Sequence, residues 1–191
     1  MGIVSRKRAS RMKPGRSDGI EEYEEEGWDA QWETDRGSRL RFRQAADERI
    51  GPALRNASRS FIRTRREGLE DSVVTLVNQE RTARGLSTLH IDERLRNSSR
   101  AHSEDMAARG FIDHLSPEGI SPLERMLMAG YPFPAAENVA VFLPEPMGVM
   151  RGWMNSPGHR LNVLNPAFRA IGVGIHVEAG TAWWTQNFGY W

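Results

Sequence analysis

The C-terminal stretch AIGVGIHVEAGTAWWTQNFGYW, residues 170–191, decides the fold class of this chain. "AIGVGIHVEA" and "AWWTQNFGYW" read as strands, and Ala179-Gly180 between them supplies the turn of a hairpin. Upstream, AENVAVF at residues 136–142 has the same strand character. Before it the periodicity is helical. In LEDSVVTLVNQERTARG, residues 69–85, Val73, Val74, Leu76 and Val77 have helical spacing, Asp71 or Ser72 can cap the start, and Gly85 ends the run. Asp92 can cap a second helix through Leu95, Ala101 and Met106 to Gly110. A third is expected from Ser121 to Ala129, closed by Gly130, and a fourth from about Pro146 to Met154. Helices first, then strands with a helical insertion, favour an α+β sandwich with an antiparallel sheet over a doubly wound parallel one.

All of this lies beyond Leu69. The 191 residues suffice for one domain and an appendage, and 39% hydrophobic residues suit a water-facing fold with an apolar core. Cysteine is absent, which excludes disulfides, thiolate metal sites and Cys nucleophiles. Charge divides the chain: residues 1–66 hold 16 basic and 11 acidic side chains, the remainder 10 and 14. Within the first part, every charge from Met1 to Ser17 is basic, every charge from Asp18 to Asp35 is acidic, and Arg dominates again from Arg36 to Arg66. Residues 1–66 therefore read as a charged extension too poor in apolar residues to fold by itself, and residues 67–191 as the domain. The sharper reading of the extension is an arm whose arginines meet an anionic surface, nucleic acid or an acidic partner. Phe42, Ile50, Leu54, Phe61 and Ile62 would form its broken apolar stripe, with Gly51-Pro52 interrupting any helix. MGIVSRKRASRMKPG lacks the apolar core of a secretory signal, and no apolar run approaches the ~20 residues of a membrane span.

Three residues stand out chemically. His114 lies in GFIDHLSPEG, a loop rich in turn formers; Glu137 opens an apolar strand; His159 follows Pro157-Gly158. Two imidazoles and a carboxylate can bind a divalent metal or share protons. The plainer alternatives are that Glu137 and Asn138 satisfy buried backbone groups, and that His114 and His159 form a hydrogen-bonded pair in a polar cleft. Ser156 is better explained as part of a helix-starting Ser-Pro turn than as a nucleophile. His90, His102 and His176 read as surface or helix-packing residues, and Trp153, Trp183, Trp184 and Phe188 as core. Gly172 and Gly174 make no phosphate-binding fingerprint, since a third glycine and a following helix are missing.

Taken together, LVNQERTARGLSTLHIDERLRNSSRAHSEDMAARGFIDHLSPEGISPLERMLMAGYPFPAAENVA, then GWMNSPGHRLNVLNPAFRAIGVGI and WWTQNFG, resemble the bacterial branch of the CAP superfamily, the SCP-like or SCP/PR-1 domains. The resemblance covers about Leu69 to Trp191. It implies a three-layer α-β-α sandwich with a central antiparallel sheet and a cleft lined, in many members, by two His and two acidic residues. His114 matches the first His, Glu137 the Glu of the "G/A-E-N" motif, and His159 the second His, aimed across the cleft at His114. The second acidic position of eukaryotic members is Ser156 here, so the four-residue set is incomplete; Glu118 and Glu124 are nearby acids that match by no motif.

Two function classes follow. The first is a binding or structural module whose cleft of His114, Glu137, His159 and Ser156 takes a metal, a small ligand or a partner segment. The second is a hydrolase in which zinc or another divalent metal on His114 and His159 activates water with Glu137 as general base. The resemblance favours the first, and it implies an extracellular or envelope setting that this N-terminus does not itself announce.

Overall fold

The computed structural model describes residues 33–191, with side chains described from Gly51 onward. The basic block of residues 1–17 and nearly all of the acidic block lie outside the described residues, as do the side chains of Phe42 and Ile50. Ala53–Trp191 forms one compact unit, which carries everything that follows except the start of α1.

Helix α1 spans Glu33–Thr82. This corrects two expectations. The helix passes through Gly51-Pro52 instead of breaking there, because proline's fixed φ is itself helical and the ring forfeits a single i→i−4 hydrogen bond within a long run. Nor does Asp71 or Ser72 start a helix: Ser72 Oγ donates to the Gly68 carbonyl one turn back, and Asp71 accepts from Arg96 Nη2 at 2.6 Å. Residues 53–66, assigned to the unfolded extension, are helical and belong to the compact unit. From Glu70 onward α1 buries Val73, Val74, Val77 and Arg81 on one side, the i, i+3, i+4, i+7 stripe of a core-facing helix.

The rest follows the sequence closely. Strand β1 is His90–Ile91; α2 is Glu93–Arg109, capped by Asp92 and closed by Gly110 at φ 68°. Helix α3, Pro122–Met128, opens with a capping box of Ser121 and Glu124. Then come β2 (Pro134–Phe142), α4 (Pro146–Asn155), α5 (Pro157–Val163), β3 (Ala170–Glu178) and β4 (Thr181–Gly189). The sheet order is β1-β3-β4-β2, antiparallel except for the two-residue β1, which runs parallel to β3 and has too little sequence to show a period.

Register assigns the faces. Ile171, Val173 and Ile175 of β3 and Ala182, Trp184 and Phe188 of β4 join Val73 and Val77 of α1, Val149 and Trp153 of α4 and Val163 of α5 in one apolar core. The opposite face presents Gly172 and Gly174, which pair with Asn187 and Thr185, and Glu137, which pairs with Asn187 from the other side. Against it lies α2, so near that a Cβ on Gly172 or Gly174 would overlap the backbone of Leu95–Arg96 or Ser99–Arg100. Ser99 Oγ donates to the Gly172 carbonyl, and Ser103 Oγ to Thr185 Oγ1 at 2.9 Å. These two glycines let a helix rest on a strand, which requires the absence of a side chain. The result is a three-layer α-β-α sandwich, with α1, α4 and α5 on the apolar side and α2 on the polar side.

Candidate functional site

Glu137 is the centre of the polar side. A carboxylate at a buried strand position is costly unless each oxygen finds a donor, and both do. His114 Nδ1 donates to Oε1 at 3.0 Å, and Arg125 Nη2 donates to Oε2 at 2.8 Å. Arg125 comes from α3 and is itself 13% exposed at the side chain. Its other terminal nitrogen donates to the carbonyls of His114 and Ile120, each at 2.9 Å, so one guanidinium holds both the carboxylate and the loop that carries His114.

A second imidazole lies beside them. His102 of α2 is fully buried; its Nε2 donates to the Asp113 carbonyl at 2.9 Å and lies 3.9 Å from Glu137 Oε1. Its Nδ1 has no hydrogen-bond partner among the described residues. Burial holds this imidazole below the usual histidine range, against the pull of Glu137, so its neutral form predominates near pH 7.

His159 enters from the other side of the sheet edge. Pro157, Gly158 and His159 form the first turn of α5, not a separate turn before it, since Pro at N1 sacrifices no helical bond. Asn138, whose carboxamide donates to the His159 carbonyl at 3.2 Å and to Gln186 Oε1 at 3.0 Å, fixes this turn against β2. Asn162 completes the tie, donating to the Glu137 carbonyl and to Asn138 Oδ1. Ser156, between α4 and α5, makes no side-chain capping bond and lines a shallow recess with His159, Val141 and Trp153.

The two cleft imidazoles are set unequally. The hydrogen bond to Glu137 raises His114 above the ordinary histidine value of 6.5, whereas burial, aided by the charge of His114, lowers His159 below it. Near neutral pH one is the better proton donor and the other the better acceptor.

His114 and Glu137 are thus in hydrogen-bond contact, while the turn that carries His159 is tied to β2 through Asn138 and Asn162, with Ser156 beside His159. Glu118 is held by Arg109, and Glu124 closes its own helix cap, so neither joins the cleft. Divalent metal fits this set poorly. Among the described residues no group of three or more His, Asp or Glu is arranged to hold one, and Arg125 occupies the carboxylate oxygen that His114 leaves. Arg125 escaped the sequence reading, and His102, read as a surface or helix-packing residue, is a packing residue that also lies beside Glu137. A signal for His102 existed, because Leu95, Ser99, His102 and Met106 recur at the spacing of one helix face; none marked Arg125, whose partners lie on two other segments.

Comparison with known proteins agrees with this architecture. The model of the cysteine-rich secretory protein family, CAP, matches residues 74–188. An uncharacterized protein of Bacillus subtilis, YkwD, is 48% identical over 120 residues, which cover 62% of this chain and 46% of YkwD. The uncharacterized membrane protein YlbC of the same organism is 32% identical over 120 residues, 62% of this chain and 34% of YlbC. The chain therefore spans less than half the length of these relatives. An extracellular protein of Bacillus anthracis containing an SCP domain superposes with TM-score 0.59 at 29% identity, covering 66% of this chain and 41% of that one. An outer surface protein of Borrelia burgdorferi shares the fold at TM-score 0.54 and 19% identity, covering 61% and 87%.

Proposed function

The chain belongs to the CAP family, and on that premise we propose that its domain is a binding module whose cleft takes a small hydrogen-bonding ligand or an extended partner segment between His114 and His159. One observation supports this over hydrolysis: both oxygens of Glu137 are engaged, by His114 and by Arg125. Each oxygen keeps a second lone pair, but the Glu137 side chain is only 1% exposed, so it presents that lone pair neither to solvent water, as a general base must, nor to an ion in open solution. Glu137 is placed instead to set the protonation and orientation of His114. What remains for a ligand is a proton donor at His114, an acceptor at His159, and the Ser156 hydroxyl beside it. Zinc or another divalent metal is left with two imidazoles and solvent, and so would bind more weakly than in a four-ligand site. Among the described residues no helix is long and apolar enough to cross a membrane. An extracellular or envelope location is our reading, drawn from the description of the Bacillus anthracis relative as extracellular.

The test is a thermal-shift screen of short peptides, sugars and carboxylates against the full chain and its His159→Ala variant, with the same panel of peptides and esters assayed for turnover. Binding predicts compounds that raise the wild-type melting temperature and leave the variant unmoved. Turnover abolished by Glu137→Gln, in protein that still melts cooperatively, would replace this reading with the hydrolase.

A further inference from the structure

We propose that residues 53–69 of α1, with the apolar end of the sheet beside them, form a docking surface for an anionic lipid bilayer. The segment lies before the residues that match the family, 74–188, and is independent of what the cleft binds.

Its sequence, ALRNASRSFIRTRR over residues 53–66, holds five arginines and no acidic residue. At about 100° per residue, Leu54, Phe61, Ile62 and Leu69 fall within one arc of about 100°, which Arg65 shares, and Arg55, Arg59, Arg63 and Arg66 follow on one flank. The apolar members are presented to solvent: Leu54 is 61% exposed, Phe61 69% and Ile62 65%. Arg63 and Arg66 reach Glu67 and Glu70 only at 3.9 and 3.8 Å, leaving their charge largely available.

The domain extends this stripe. Phe61, Ile62 and Leu69 share a recess with Pro144, Ile175 and Val177, rimmed by Arg65, Arg66 and His176. A surface built for duplex nucleic acid meets the phosphates through its arginines and has no use for exposed Phe and Ile. Exposed Phe and Ile beside them match the bilayer boundary, where apolar side chains enter to roughly 5–10 Å while guanidiniums meet headgroup phosphates. Snorkelling arginines suit both environments at once.

Sedimentation of the full chain with phosphatidylcholine vesicles, with and without phosphatidylglycerol, tests this. The wild type should pellet with the anionic vesicles and remain soluble with neutral ones. Arg55→Gln/Arg59→Gln/Arg63→Gln should weaken partitioning on the order of 100-fold, and Phe61→Ser/Ile62→Ser about tenfold or more. Both variants should melt like the wild type, since every changed side chain is exposed. Absence of wild-type binding to anionic vesicles overturns the proposal. So does loss in the arginine variant with none in Phe61→Ser/Ile62→Ser, which would mark a site for a soluble polyanion. If both variants pellet like the wild type, the attraction lies before Gly51 and this surface is not the dock.

Discussion

The two faces of the sheet are made in opposite ways. On one, Val73, Val77, Trp153, Ile171, Val173 and Trp184 fill space with hydrocarbon, and Arg81, buried on the same stripe of α1, directs its guanidinium to backbone carbonyls. On the other, α2 meets the strands through glycines and hydroxyls, and Glu137 and His102 are buried beside it, with Arg125 bonded to Glu137. Hydrophobic packing tolerates exchange of one shape for a similar one; a paired buried charge does not tolerate loss of its partner. The difference separates what makes this chain fold from what makes it able to bind.

The largest expected effect breaks the polar face. Arg125→Ala leaves the Glu137 carboxylate buried without its main countercharge and frees the His114 loop, and should cost about 3–5 kcal/mol in urea denaturation. Arg125→Ala combined with Glu137→Gln should cost less than that single change, since no unpaired charge remains. An additive double mutant would mean that the pair is not coupled. Next, Gly174→Ala adds only a methyl group, yet forces α2 from the strand; about 2–3 kcal/mol is expected. On the apolar face, Ile171→Val removes a methylene from a fully buried residue and should cost only about 1 kcal/mol. Equal losses from Gly174→Ala and Ile171→Val would erase the distinction between close approach and volume filling.

Much of this was legible in the sequence, and unevenly so. Caps and turns are local chemistry, which is why Asp92, the helix start at Ser121, Gly110 and the Ala179-Gly180 hairpin are where the residues place them. The alternation of Val and Ile with Gly in β3 announces a strand, but not that the glycines accommodate a helix. His114, Glu137 and His159 could be named because their motifs are short and ordered along the chain. Arg125 could not, because its meaning lies in contacts to Glu137 and to two loop carbonyls that only the fold brings together. The failure at Gly51-Pro52 is of another kind: proline's local cost was read correctly, while the capacity of a long helix to absorb it was not.

A smaller effect concerns pH. His114 has a raised folded pKa, so its contribution is complete below about 6.5 and is lost as pH rises through the folded value. His102 and His159 have lowered values; the unfolded chain takes up their protons first, so stability falls as pH drops from about 6.5 toward their folded values. The melting temperature should therefore peak near pH 6.5 and decline on both sides. A monotonic rise from pH 5 to 8 would remove His114 from the balance.

The unequal pair is tested most directly by following the imidazole ring protons of His114 and His159 by NMR as pH is varied, with assignments from His114→Gln and His159→Gln. His114 should titrate above 6.5 and His159 below it, and His159 should shift upward when His114 becomes Gln, because a neighbouring positive charge has been removed. Identical midpoints, or a His159 midpoint unmoved by His114→Gln, would show that the two rings do not share a cleft as a donor and an acceptor.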